Sequence, residues 1–147
     1  MLRTTLVMAL ACCTTAAMAQ MNPVGLWKTI DDKDGSAKSE IRIVETAGVL
    51  SGKIDKVLDP KSKPDDKCVE CKDDRKDQPI VGLELMRGLK KSEIRDNLWD
   101  GGTIVEPATG KVYKVQLTPI EEGKKLEVRG YIGAPLFGRT QTWIRVK

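Results

Sequence analysis

The chain contains no histidine. That absence removes Ser-His-Asp and Cys-His nucleophile systems, and with them any histidine-ligated zinc or haem. Aromatic residues are scarce, with three Trp, two Tyr and one Phe among 147 positions, so each one stands out. Charge of one sign is also lacking: 25 basic and 21 acidic side chains leave only +4 at pH 7. No dense Lys/Arg stripe with interleaved aromatics appears, so no nucleic-acid partner is expected. No apolar run reaches the roughly 20 residues that cross a bilayer, so no transmembrane segment is expected either. A chain of this length, with 40% hydrophobic and 31% charged residues, reads as one soluble globular domain with a single core.

The first nineteen residues, MLRTTLVMALACCTTAAMA, have the layout of an export signal. Arg3 gives a positive start, Leu6 to Ala11 a short apolar stretch, and Ala17-Met18-Ala19 a small-x-small cleavage site. Residues 1–19 are therefore expected to be a signal peptide and residues 20–147 the exported, periplasmic domain. Lipoprotein processing at Cys12 is the alternative, but the preferred leucine three residues before the cysteine is missing. Cleavage takes Arg3, which lowers the net charge by one, and also Cys12 and Cys13. Only Cys68 and Cys71 then remain, in an oxidising compartment.

From Val24 onward the chain is a series of short alternating runs punctuated by Gly, Pro, Asp and Asn. Strands are predicted over residues 25–29, 39–46, 50–58, 81–86, 103–106, 111–119, 125–131 and 138–146. Ile41/Ile43, Tyr113/Val115/Leu117 and Leu126/Val128 share faces, with charged or polar residues opposite. Residues 88–97 could hold a helical turn. About eight hairpin-linked strands without helices between them predict an all-β fold: a single antiparallel sheet closed into a barrel, which leaves no exposed edge.

Residues 59–77 break the pattern. Thirteen of these nineteen are charged, seven acidic and six basic. A solvated loop is expected. Its carboxylates Asp65, Asp66, Glu70, Asp73, Asp74 and Asp77 lack the spacing of a calcium loop, and the interleaved lysines oppose a cation, so no metal is assigned. Three readings of Cys68-Val-Glu-Cys71 compete. A structural disulfide is favoured by compartment and by the count of two; closing so short a loop contributes at most about 2 kcal/mol. A redox couple is the second. A zinc site is the third, and two thiolates supply only half its ligands.

Several segments together carry a recognisable pattern. They are Pro23-Val-Gly25-Leu-Trp27, Cys68-x-x-Cys71, Pro79-Ile-Val-Gly82-Leu, and Trp99-Asp-Gly-Gly-Thr-Ile-Val-Glu-Pro107-Ala-Thr-Gly110-Lys-Val-Tyr113. Leu126-Glu-Val-Arg129-Gly-Tyr131-Ile-Gly133 and Leu136-Phe-Gly138-Arg139-Thr-Gln-Thr-Trp143-Ile-Arg145 complete the set. Over residues 23–145 the chain resembles the bacterial exported family called domain of unknown function 2147. The resemblance implies a small lipocalin-like, calycin-like barrel in the periplasm and implies no established activity. Gly25-x-Trp27 on the first strand and an arginine on the last, Arg145 or Arg139, resemble the lipocalin pair that closes the barrel's base. Such a cation–π contact contributes about 0.5–2 kcal/mol.

On the last strand, alternation places Arg139, Gln141, Trp143 and Arg145 on one face and Thr140, Thr142, Ile144 and Val146 on the other. With the arginine face inward, Arg139, Arg145 and Trp143, joined by Arg129, Tyr131 and Trp99, would form a cationic interior with aromatic walls. That set would bind a small amphipathic, lipid-like or anionic molecule by charge-assisted hydrogen bonds and apolar contact. The alternative is that the arginines face water. The leading expectation is thus a periplasmic ligand-binding barrel without catalysis or cofactor. A protein-interaction or envelope-stress module using the stapled 59–77 loop is the rival. A thiol redox protein at Cys68/Cys71 comes third; carboxylate catalysis by Asp100 with Glu106, or catalysis by Tyr131, has no recognised spacing.

Overall fold

The computed structural model describes residues 21–147; the signal peptide expected over residues 1–19, and the Cys12 alternative, lie outside the described residues. Eight antiparallel strands follow one another in chain order and close into a barrel. They are β1 Gly25–Ile30, β2 Ala37–Thr46, β3 Val49–Val57, β4 Glu84–Lys91, β5 Trp99–Glu106, β6 Lys111–Ile120, β7 Lys125–Tyr131 and β8 Arg139–Arg145. Closure is made by β1 against β8, where Trp27 pairs with Arg145 and Lys28 with Ile144.

The alternation in the sequence is the alternation in burial. Ile41 and Ile43 on β2, Val115 and Leu117 on β6, and Leu126 and Val128 on β7 are all buried in one apolar cluster. Turn chemistry sets the hairpins. Ala47 and Gly48 both have positive φ, 51° and 80°, the geometry whose twist matches a two-residue hairpin.

Three expectations are corrected. The segment 88–97 does not hold a helical turn: the ladder of β4 runs on to Lys91, and Arg87, Lys90 and Lys91 pair with Thr103, Asp100 and Trp99 of β5. β5 correspondingly begins at Trp99 rather than 103, with a register shift between Trp99 and Gly102 that hides its period. The charged loop is also only partly solvated. Cys68 and Cys71, joined by a disulfide, are each 1% exposed and belong to the core cluster, and Arg75 is 4% exposed.

The stapled loop therefore has its own seat on the barrel. Cys68 N–H donates to Gln78 O at 2.8 Å and Ile80 N–H to Asp66 O at 2.9 Å, which fold it into a compact flap. A Cβ on Gly110 in the β5–β6 turn would lie 1.9 Å from Glu70 O, so the flap sits directly on that turn. Arg75 Nη1 donates to Glu84 O at 3.0 Å and ties the flap to the start of β4.

Because the strands alternate in direction, connections 31–36, 58–83, 107–110 and 132–138 gather at one end of the barrel. Turns 47–48, 92–98 and 121–124 gather at the other, with both ends of the described chain. Among the described residues no helix is long and apolar enough to cross a membrane.

Candidate functional site

The second end is sealed. Trp27 is fully buried, and its indole N–H donates to Pro23 O at 2.7 Å. The guanidinium of Arg145 lies 4.2 Å from the Trp27 ring centroid. Its nitrogens donate to three carbonyls: Nε to Gly123 O at 2.6 Å, Nη1 to Val24 O at 2.7 Å and Nη2 to Asn22 O at 2.6 Å. Gly25 has φ +140°, and a Cβ there would fall 2.5 Å from Arg145 Nη1. The glycine of Gly25-x-Trp27 is the space through which the arginine reaches the indole. Of the two arginines the sequence left open, Arg145 is the base partner; burial lowers its pKa.

The first end is open. A cavity of about 510 Å3 enters the barrel there. Its lining includes Trp143, Val128, Ile104, Leu85 and Val105, with Tyr113, Tyr131, Ile132 and Phe137 toward the entrance. Polar positions are few: Thr29, Ser39, Gln141, Glu106 and Arg139. Gly130 of β7 faces this space without a side chain; the nearest atoms to a Cβ there would be those of Tyr113 and Ile104, at 3.7–4.0 Å.

β8 points its Arg139, Gln141 and Trp143 face at the cavity, while Thr142 and Ile144 are exposed. Trp143 is 2% exposed and donates from Nε1 to Gln141 Oε1 at 3.2 Å. Thr29 and Ser39 exchange a hydroxyl hydrogen bond of 3.0 Å across β1 and β2. Charge is confined to the mouth, where Arg139 Nε lies 3.1 Å from Asp32 Oδ2. Tyr113 donates to Glu106 Oε2 at 3.2 Å, and Thr109 does so at 3.1 Å. Burial first, and then the negative charge of Glu106, raise the Tyr113 pKa above its usual 10.0 while Arg139 opposes, so the phenol is a neutral donor at neutral pH.

The other residues singled out from sequence are placed apart. Arg129 lies on an outer groove of about 390 Å3 with Gln116, Thr118 and Glu127. There it braces the β7–β8 connection, donating from Nε to Pro135 O at 2.8 Å and from Nη1 to Thr140 Oγ1 at 2.8 Å. Trp99 is buried in the packed core, away from the cavity lining, with Lys91 Nζ 5.8 Å from its ring centroid. Tyr131 sits at the mouth. The structure thus gathers Arg139, Trp143 and Tyr131 at the cavity, and it puts Arg129, Trp99 and Arg145 elsewhere. Gln141, Tyr113 and Gly130 were not marked as site residues in the sequence, although Gln141 and Tyr113 already stood on inward-alternating faces, and Glu106 was weighed only as a catalytic carboxylate with Asp100. Among the described residues no group of three His, Cys, Asp or Glu side chains is placed to hold a metal ion.

Comparison with known proteins agrees with this architecture. A family model described as "Uncharacterized protein conserved in bacteria (DUF2147)" matches residues 25–145. Among solved structures the barrel is similar to protein HP1028 from the human pathogen Helicobacter pylori, described as belonging to the lipocalin family. The two share a TM-score of 0.72 and 20% identity over 87% of this chain and 85% of the other. At that identity the likeness is one of fold. No curated protein matches the chain.

Proposed function

The chain belongs to the bacterial family of uncharacterized conserved proteins DUF2147, and from that premise we propose that it is an exported carrier that binds a small amphipathic molecule inside its barrel without altering it. The observation that carries this reading is the 510 Å3 cavity, open at one end and closed at the other by Trp27 and Arg145. Its volume lies within the roughly 300–1,000 Å3 of small-molecule sites, and its lining has the usual balance of apolar wall and few polar groups.

The binding chemistry follows from the arrangement. The apolar part of the molecule lies against Trp143, Val128 and Ile104, where removal from water contributes about 25 cal/mol per Å2. A polar or anionic end stays at the mouth beside Arg139, whose guanidinium can exchange Asp32 for the ligand's oxygens. Tyr131 and Phe137 flank that entrance. The disulfide supports residence in the periplasm after removal of residues 1–19. In this reading the stapled flap is architecture: thiol exchange needs access to a sulfur, and both cysteines are buried.

Native mass spectrometry of the protein purified from the periplasmic fraction tests the proposal. The expected result is a mature chain beginning at Gln20, alkylation-resistant at Cys68 and Cys71 without reduction, and carrying a small amphipathic species. A chain retaining residues 1–19 in the cytoplasm, or one that never retains or accepts such a species, would overturn it.

A further inference from the structure

The depth of the cavity carries a neutral hydrogen-bonding device that the apolar walls do not require. Indole Nε1–H can only donate. The 3.2 Å contact from Trp143 therefore fixes Gln141 with its amide oxygen toward the indole and its amide nitrogen turned away. Two N–H donors are left on that nitrogen, and among the described residues neither has a protein partner. Gln141 lines the cavity one inward position below Arg139 and one above Trp143. The other polar groups away from the mouth, Thr29 and Ser39, are uncharged and already bonded to each other. The formal charges of the lining, Arg139 and Glu106, are at the mouth.

Resting on the proposed ligand-binding role of this cavity, we propose that Gln141 is a specificity residue: its amide nitrogen recognises an uncharged oxygen acceptor, a ketone, ester or amide carbonyl, set within the apolar part of the ligand. Such an oxygen regains in the barrel the hydrogen bond it leaves behind in water. A plain hydrocarbon at the same depth leaves the amide donors unpaired, and a carboxylate there loses hydration without any cation below the mouth to meet it. The ligand class is therefore an acyl ester, acyl amide or alkyl ketone with its charged or polar end outward, rather than a free fatty acid inserted head first.

The test uses valerophenone and pentylbenzene, which differ by one carbonyl in place of one methylene. Each displaces the uncharged dye N-phenylnaphthylamine from the full mature protein. The quantity read is the ratio of the two affinities, because the hydrocarbon gains more from leaving water whatever the site. In Gln141→Met that ratio should move about tenfold toward the hydrocarbon relative to the unmodified protein, with the dye affinity retained. Gln141→Glu, at a pH where the new side chain is ionised, keeps an acceptor for Trp143 Nε1 but removes both amide donors. It should show the same shift even if Gln141→Met folds poorly. Unchanged ratios in variants that still bind the dye would overturn the assignment of Gln141 while leaving the cavity reading intact. Failure of the unmodified protein to bind dye, ketone and hydrocarbon alike would overturn both.

Discussion

At the scale of single residues, the two informative positions are those where a side chain meets a missing one. Arg145 crosses the space above Gly25 to cover Trp27 and reaches three carbonyls with three different nitrogens. A lysine has one nitrogen and no planar fork, so Arg145→Lys cannot serve Gly123, Val24 and Asn22 together. It should lower stability by about 1–3 kcal/mol, read as a fall in the urea midpoint without a change in slope. The pairing of Trp27 with a terminal-strand arginine was legible through the resemblance of Gly25-x-Trp27 and a last-strand arginine to the lipocalin pair. Which arginine was not legible, because Arg139 and Arg145 share one face of β8 and only barrel length decides that one lies at the base and the other at the mouth. Arg129 lies on the outer face, as the alternation of Leu126 and Val128 inward already implied; the inward reading came from grouping it with the Arg139 face of the neighbouring strand.

At the scale of elements, the flap between β3 and β4 is where composition misled most. Thirteen charges in nineteen residues read as water-facing, yet a buried disulfide and a buried arginine organise the segment. Asp73 accepts from Arg75 Nη2 at 2.6 Å, Nε at 3.0 Å and the Arg75 backbone N–H at 2.9 Å. The side-chain hydrogen bonds from Arg75 are the largest cause holding the Asp73 carboxyl well below its ordinary 3.8. A depressed carboxylate contributes stability above its unfolded pKa and loses it as pH falls toward the folded one. Asp73→Asn should therefore be less stable than the unmodified protein at pH 6, and the gap in urea midpoint should close progressively below about pH 3.8. A gap that does not vary with pH would mean that the carboxylate is not what Arg75 needs. Docking of the flap has its own test. Gly110 has φ +72° and a would-be Cβ 1.9 Å from Glu70 O, so Gly110→Ala should destabilise by about 1–3 kcal/mol. Proteolysis within residues 62–76 should rise before the barrel unfolds. Deletion of 62–76 should likewise lower stability, because Arg75 and the cysteines leave the core with it. An intact stability after deletion would restore the loop as a free interaction surface.

At the scale of the whole molecule, eight strands in sequential order closing on themselves were readable from periodicity and turn residues, because each strand buries one face against the same core. Strand ends were less so, since the register shift at the start of β5 and the flap before β4 break the period of two. The hollow itself was not readable. It depends on how residues from seven strands meet at one end, and on Gly130 and Gln141 leaving unfilled what leucines would have packed. The same topology puts every odd-to-even connection at the mouth, so the flap, the Asp32–Arg139 pair and the apolar β7–β8 connection with Ile132 and Phe137 all surround one entrance.

The most direct measurement is a titration of N-phenylnaphthylamine into the mature protein and into Gly130→Val. No positive φ stands at Gly130, which lines the cavity, and a Cβ there meets the side chains of Tyr113 and Ile104 at ordinary contact distances of 3.7–4.0 Å. A barrel that works through its interior should bind the dye saturably at one site, and the filled variant should bind at least about tenfold more weakly at an unchanged urea midpoint. Equal affinity in both proteins, or no binding by either, would contradict it.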